Sequence, residues 1–413
     1  MISMLLWPIG LKADGQKPET NVNERYDVEG IEYSGFDESK ISQPLRDEAQ
    51  KMVGAKYNEK TANGILKKLQ KELGGRKEYY RIDLKVEKGI NPDKVKVLFQ
   101  FKKRPFVFSA GAGGVYHSQE GSSVSVGVGI HELAYGNNFN LSLISDANLL
   151  LERYTGFKAS YENKKVGTEK VRLNVDFSSF HEKFNSATKS TLTLRPDVPG
   201  VYRARQSFSP SLTVQPFHEN YVVLSAGLDF QRLEFQTPVS QTRTAYIGYT
   251  NISLNLCDLQ AKYKQCGNIE YNLRTATRVL GSDFVYTRHL MSVTYSFTRE
   301  PNEFIASASY GLITGTPPLF ERFALGNSAT LRGWNKFDMS PLGGTRTAYA
   351  MLQYRYRRFR VFYDVGTEWD ENQFSPIRHG LGIGIVNWPF KNAVFSLAFP
   401  VRLHKVKPAF GVF

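Results

Sequence analysis

The sequence has no long apolar run and very few cysteines. Its 413 residues contain no stretch of 18 or more apolar residues, and the mean hydropathy is −0.36, which together exclude a transmembrane helix. They do not exclude a transmembrane β-barrel, because barrel strands show only every second residue to lipid. The 22 Tyr, 28 Phe and 34 Gly fit a barrel, whose two membrane interfaces are rich in aromatic residues.

Cysteine is limited to Cys257 and Cys266, which bracket one short polar segment. Two cysteines are too few for a structural zinc site, and no other metal or cofactor is expected. The two side chains are interpreted either as a disulfide, formed in an oxidising compartment, or as two free thiols. Spacing does not decide between these alternatives.

The formal net charge is +14. Lys and Arg are scattered among predicted strands and turns and form no stripe or tail, which argues against nucleic acid as a partner. The charge is better explained by solubility, or by loops that face the anionic head groups of lipids.

The first quarter of the chain has its own organisation. Residues 1–25 are interpreted as a remnant signal segment and linker, with a short apolar stretch at Leu5–Ile9 that no basic residue precedes. Residues 26–104 then read as a small domain in the order β-α-α-β-β. Helical spacing and Asn58, a good helix cap, predict the two helices, and period-two alternation predicts the strands.

From residue 105 to residue 413 the pattern is strands and turns, with no persuasive helix. Val124, Val126, Val128 and Ile130, for example, alternate with Ser and Gly, as a lipid-facing wall requires. A soluble sandwich would also alternate. Strand number favours the barrel, since about eleven strands precede residue 315 and about five follow the next loop, an even total near sixteen. The predicted fold is therefore mainly β: a 16-stranded antiparallel transmembrane barrel after a small α+β domain.

The loop between these two sets of strands carries the main candidate site. It runs from Pro317 through the tip Leu331-Arg332-Gly333-Trp334, and it is too long for a hairpin turn and too apolar for an ordinary surface loop. An Arg in a partly dry barrel interior needs a carboxylate. Asp364 is the predicted partner, and alternation places three further residues on inward faces nearby: Gly366, Gln353 and Arg355.

These motifs resemble a known family. Phe323-Ala324-Leu325-Gly326-Asn327, Leu331-Arg332-Gly333-Trp334, Gln353-Tyr354-Arg355 and Phe362-Tyr363-Asp364-Val365-Gly366 are similar to the pattern of the BamA/TamA superfamily of outer-membrane assembly factors, or bacterial surface antigens. The resemblance implies sixteen strands, this loop between strands eleven and twelve, and a preceding POTRA domain. Asn327 replaces a usual Gly. Gln353 replaces a usual Glu, which leaves Asp364 as the main partner of Arg332.

The first and last strands of the barrel are predicted to meet in a weak seam. The first is rich in glycine, and no helix follows those glycines, which argues against a phosphate-binding loop. Pro408 cannot donate a ladder hydrogen bond and belongs on a weakly paired strand. The seam residues are Gly111, Gly113, Gly114, Pro408, Phe410 and Phe413.

The resemblance implies a non-enzymatic protein of the bacterial outer membrane, with its N-terminal domain in the periplasm, or of an organelle outer membrane. It would insert or translocate client proteins. A dedicated transporter for one substrate and a surface-antigen barrel without insertase activity are the alternatives. Expected partners are membrane lipids, an unfolded or secreted client, and periplasmic chaperones or accessory lipoproteins. No catalytic motif is present.

Overall fold

The computed structural model describes residues 24–38, 41–73, 79–103, 106–117, 121–133, 136–147, 152–195, 198–217, 221–235, 241–259, 263–326, 329–371, 375–387, 394–401 and 409–412. The predicted signal remnant lies almost entirely outside these residues. The chain divides into two compact units, Met1–Pro105 and Phe106–Phe413. Within the described residues, no helix combines the length and the apolar character needed to cross a bilayer.

The first unit has the predicted order β-α-α-β-β. Its elements are β1 (Asp27–Ser34), α1 (Gln43–Gln50), α2 (Glu59–Leu73), β2 (Tyr79–Lys88) and β3 (Lys94–Lys103). Strand β3 lies in the centre, parallel to β1 and antiparallel to β2. Asn58 caps α2 as predicted, because its Oδ1 accepts from the backbone N–H of Thr61 at 3.0 Å. The buried core includes Ile41, Ala49, Ala62, Ile65, Leu69, Val97 and Phe99.

The second unit is a closed barrel of sixteen strands, and each strand is antiparallel to its neighbours. The strands are β4 (Val107–His117), β5 (Gly121–Leu133), β6 (Asn137–Ala147), β7 (Arg153–Asn163), β8 (Val171–Lys183), β9 (Tyr202–Val214), β10 (Val222–Phe235), β11 (Gln241–Leu259), β12 (Lys264–Ala276), β13 (Tyr286–Arg299), β14 (Asn302–Gly315), β15 (Arg346–Tyr356), β16 (Phe359–Trp369), β17 (Arg378–Val386), β18 (Val394–Pro400) and β19 (Ala409–Val412). Eleven strands precede the long loop and five follow it, as predicted.

One helix in this unit was not predicted. Helix α3 (Ser186–Thr193) lies between β8 and β9 and is capped by Asn185, whose side chain accepts from the N–H of Ala187. Its sequence, Ser-Ala-Thr-Lys-Ser-Thr-Leu-Thr, is rich in Ser and Thr, which are weak helix formers and gave no helical signal.

The outward face of the barrel is apolar, as the alternation predicts. Val124, Val126, Val128 and Ile130 are all exposed, and the same holds for Leu224 and Leu228 on β10, Met291 and Val293 on β13, and Leu381 and Ile383 on β17. Most of their inward neighbours are polar or small, and Val223 and Leu290 are exceptions. A wall of this kind buries its apolar side chains in lipid rather than in a second protein layer.

The two ends of the barrel differ in their connections. The turn end, where β4 begins, carries connections as short as residues 300–301 and 357–358. The opposite loop end carries residues 184–201, which contain α3, and residues 316–345. At the turn end, Cys257 and Cys266 face each other across β11 and β12 and form a disulfide, which resolves the alternative left open by the sequence.

Candidate functional site in the barrel lumen

The long loop, residues 316–345, folds back into the barrel interior, the lumen. Among its described residues, Phe323, Leu325, Leu331, Trp334 and Leu342 are all buried. Residues 327 and 328, including Asn327 of the motif, lie outside the described residues. An ordinary surface loop would expose such side chains. This loop instead fills the lumen with an apolar core of its own.

Arg332 and Asp364 form the tightest polar contact of the loop. The backbone N–H and Nε of Arg332 both donate to Asp364 Oδ2 at 2.8 Å, and Nη2 donates to Oδ1 at 2.8 Å. Tyr349 donates a further hydrogen bond to Oδ1 at 3.2 Å. The guanidinium also stacks on Phe362, with 3.5 Å from Cζ to the ring centroid. Asp364 is fully buried, so either charge without the other would be costly.

Glycine allows the loop tip to approach the wall this closely. Gly333 has a φ of +94°, and a Cβ there would lie 3.0 Å from the backbone of Phe399 and Pro400 on β18. A Cβ on Gly380 of β17 would lie 2.4 Å from the carbonyl oxygen of Arg332. Trp334 then fixes the tip, since its Nε1 donates to the carbonyl of His379 at 2.7 Å.

The other predicted partners have different positions. Gln353 Oε1 accepts from Arg332 Nη1 at 3.4 Å, a much weaker contact than Asp364 makes. Arg355 does not contact the loop tip and pairs with Glu303, its register partner on β14, at 2.7 Å. Gly366 provides space, because a Cβ there would lie 3.0 Å from Leu325.

Strand β16 offers two more carboxylates to the loop, and neither was singled out from the sequence. Glu368 is fully buried and accepts from the backbone N–H of Leu325 at 2.6 Å. Just beyond the strand, Asp370 accepts from Arg322 Nη2 at 2.7 and 2.8 Å. Asp364, Gly366, Glu368 and Asp370 are spaced by two, so the inward period of β16 itself was a usable signal.

Asp370 lies in the connection after β16, outside the membrane-spanning strands. Burial by itself would raise the pKa of this carboxyl. Arg322, the backbone N–H of Thr345 and Arg195 outweigh the burial and hold the pKa below its usual value. The carboxylate therefore stays charged in neutral solution and keeps its hold on the loop.

A second carboxylate cluster comes from parts of the barrel distant in sequence. Glu321 of the loop accepts from Arg274 on β12 at 2.9 Å, and Arg274 also donates to Asp229 on β10 at 2.9 Å. Arg288 on β13 donates to the carbonyl oxygen of Glu321 at 3.1 Å. Pairing of the consecutive strands β10 to β13 and the inward fold of the loop bring these residues together, and their positions along the chain gave no signal.

The seam is much less paired than its neighbours. Among the described residues, β19 and β4 meet at Gly411–His117 and Val412–Tyr116, whereas β4 pairs with β5 over its whole length. Gly111, Gly113 and Gly114 pair with Gly127, Ser125 and Val124 on the β5 side. Phe410 pairs with Leu397 of β18. Pro408 and Phe413 lie outside the described residues, so their predicted part in the seam stays a prediction.

These features define a class of membrane barrel: sixteen strands, a weakly paired seam, and a connection between strands eleven and twelve that folds inside and is fixed by an Arg–Asp pair. The sequence pattern of the Omp85 superfamily domain matches residues 120–408. The chain belongs to the Omp85 superfamily, and the resemblance to the BamA/TamA type is confirmed. Comparison with curated proteins gives no match.

Solved structures support the same fold. BamA from Haemophilus ducreyi lacking POTRA domains 1–3 is 16% identical, with a TM-score of 0.61, and the match covers 94% of this chain and 84% of that chain. CdiB from Escherichia coli is 12% identical, with a TM-score of 0.52 and coverage of 97% and 92%. CdiB from Acinetobacter baumannii is 13% identical, with a TM-score of 0.51 and coverage of 94% and 74%.

Proposed function

We propose that this chain inserts client proteins into the outer membrane, or translocates them across it, by opening the seam between β19 and β4. The seam carries this proposal. On the seam side, the β4 edge from Val107 to Val115 has no strand partner among the described residues. Unpaired N–H and C=O groups on a strand edge are a template for another strand. An extended client supplies those hydrogen bonds with little demand on its sequence.

The first unit is proposed to be a POTRA-like domain that receives the client. Its sheet order β1-β3-β2 leaves β1 and β2 at the two edges. Either edge offers main-chain hydrogen bonds to an extended segment. The proposed location of this unit is the periplasm. The Cys257–Cys266 disulfide supports a location in an oxidising compartment.

The docked loop is proposed to support the seam from inside the lumen. Gly333 and Trp334 contact β18 and β17, the two strands that precede β19 in the barrel. Arg332 holds this tip against Asp364. Movement of the tip would therefore be transmitted to the strands that end at the seam. The alternative is that the Arg332–Asp364 pair only stabilises the barrel.

The test is insertion of a client in liposomes. The purified chain is reconstituted, and the folding of a urea-denatured outer-membrane barrel is timed against empty liposomes. We expect clear acceleration, reduced by Arg332→Ala and unchanged by Arg172→Gln. Arg172 is also a lumen arginine, but it bonds Gln215 far from the loop. Loss of the folded, heat-modifiable barrel in Arg332→Ala would instead assign the pair a purely structural part.

A dedicated transporter for one substrate is the second candidate. The polar lumen wall around Arg274, Asp229 and Glu321 favours it. A correctly folded barrel that does not accelerate client folding would rule out the general insertase. That result would leave a dedicated transporter, or a surface-antigen barrel without activity of its own.

A further inference from the structure

The connection that contains α3, residues 184–201, is tied to the long loop through one buried carboxylate. Glu152, just before β7, accepts from Thr188 Oγ1 at 2.5 Å and from the backbone N–H of Asn185 at 2.6 Å. The same carboxylate accepts from Lys336 of the long loop at 3.2 Å. Three connections at the loop end, which are distant in sequence, therefore meet at Glu152.

The other end of the α3 connection is also held by a carboxylate. Arg195 donates to Asp370 at 3.0 Å, and Asp370 is the carboxylate that also holds Arg322 of the long loop. Thr188 lies 3.2 Å from the carbonyl oxygen of Pro341, a direct contact with that loop. The connection is thus held to the long loop directly at Thr188 and, through Asp370, at Arg195.

A small cavity lies beside this fastening. The cavity has a volume of about 110 Å³, and its lining includes the charged side chains of Glu152, Glu182, Arg205, Arg322 and Lys336 together with apolar ones such as Phe184 and Leu319. A cavity of this size with several charged groups in its lining has room and partners for water. Water beside an ion pair weakens it.

The anchor of the loop tip is more deeply buried, since the side chain of Asp364 is 0% exposed and that of Glu152 is 8% exposed. Arg332 and Asp364 are enclosed by Phe362, Tyr349, Leu331 and Trp334. Removing either charge there leaves the other buried and dry. Three contacts of 2.8 Å hold Arg332 to Asp364, whereas Lys336 contacts Glu152 at 3.2 Å. The two fastenings therefore differ in strength, and the one at Glu152 is the weaker.

We propose that the described residues of this connection, 184–195 and 198–201, form a lid over the long loop, that Glu152 is the residue that latches it, and that the lid opens before the loop tip leaves Asp364. This inference goes beyond the proposed function, since lid opening needs no client and is measured on the reconstituted protein alone. A failed insertion assay and a failed lid assay are therefore distinguishable.

The test compares two buried reporters. Val198→Cys lies in the lid segment and Leu331→Cys at the loop tip; both positions are buried, and the native cysteines are joined in a disulfide. Each reporter is reacted with a membrane-impermeant maleimide. Glu152→Gln should raise the labelling rate of Val198→Cys roughly tenfold, equivalent to about 1.4 kcal/mol of opening. The rate at Leu331→Cys should change less than about twofold.

Glu162→Gln is the matched control, because Glu162 is another carboxylate of β7 but bonds only to Asn138, near the turn end. It should leave both rates unchanged. If Glu152→Gln does not fold, Arg195→Gln releases the other end of the same segment and takes its place. Equal acceleration at both reporters would overturn the proposed order of opening. No acceleration at Val198→Cys would overturn the lid itself.

Discussion

Two regions of the barrel wall differ sharply: strand β16 holds the long loop by many contacts, and the seam between β19 and β4 is paired over only a few of the described residues. Two carboxylates on β16, Asp364 and Glu368, and a third just after it, Asp370, hold the long loop through Arg332, Leu325 and Arg322. Across the seam, the described residues show pairing only at the last two residues of β4. Charge pairs and packing concentrate where the loop is held, and backbone hydrogen bonds are scarce at the seam, where the proposed function has a client strand enter.

Locking the seam should have the largest effect. His117→Cys with Gly411→Cys places two cysteines at register partners across the seam. Oxidation should abolish client folding by the reconstituted protein, and reduction should restore it. Gly127→Cys with Ser142→Cys is the control, since these are register partners within the continuous pairing of β5 with β6 from Val124 to Ile130. Full activity in the oxidised seam variant would remove seam opening from the mechanism.

Releasing the long loop from β16 should have the second-largest effect. Asp364→Ala leaves the buried Arg332 without its carboxylate, at a cost of about 3–5 kcal/mol to loop docking. We expect protease cleavage within residues 316–345 while the barrel stays heat-modifiable. Arg332→Met with Asp364→Leu removes both charges and should recover much of the docking. If the single variant is as protease-resistant as the wild type, the pair does not hold the loop.

Acidification should loosen the loop end more mildly. The pKa of Asp370 in the folded protein is below its usual value, so its stabilising effect is complete above the usual value and is lost as the pH falls through the folded value. Pepsin should cut within residues 184–201 faster below about pH 4. Asp370→Asn should be cut readily at higher pH and lose this part of the pH dependence. A wild-type pH dependence in that variant would assign it to other groups.

The smallest effect is expected at Arg355. Its pair with Glu303 is partly exposed, with side-chain exposures of 30% and 23%. Such pairs contribute about 0–1 kcal/mol. Arg355→Gln should therefore leave thermal unfolding and client folding close to wild type. A loss comparable to that of Asp364→Ala would mean that the strand carrying Gln353 and Arg355 braces the loop more strongly than its contacts indicate.

Features that depend on neighbouring residues in the sequence could be predicted, and contacts between distant parts of the chain could not. Period-two alternation was sufficient for the strands, the inward face of Asp364 and the count of eleven plus five. The same period of two continues from Asp364 to Glu368 and Asp370, so these two carboxylates could also have been predicted to face inward. Glu152 was not accessible, because its partner Lys336 is 184 residues away in sequence. Arg355 lies on the predicted inward face of β15, but the register of β15 against β14 places Glu303 opposite it, so Arg355 pairs there and not with the loop.

The separations bridged by the loop have a consequence for the protein's own assembly. Lys336 needs Glu152 just before β7, Arg332 needs Asp364 on β16, and Trp334 needs His379 on β17. The loop therefore cannot dock fully until the strands from β7 to β17 are in place. A docked loop thus reports that these eleven of the sixteen strands are paired in register. A slip of one residue on β16 would turn Asp364 and Glu368 toward lipid and leave the loop with no hold.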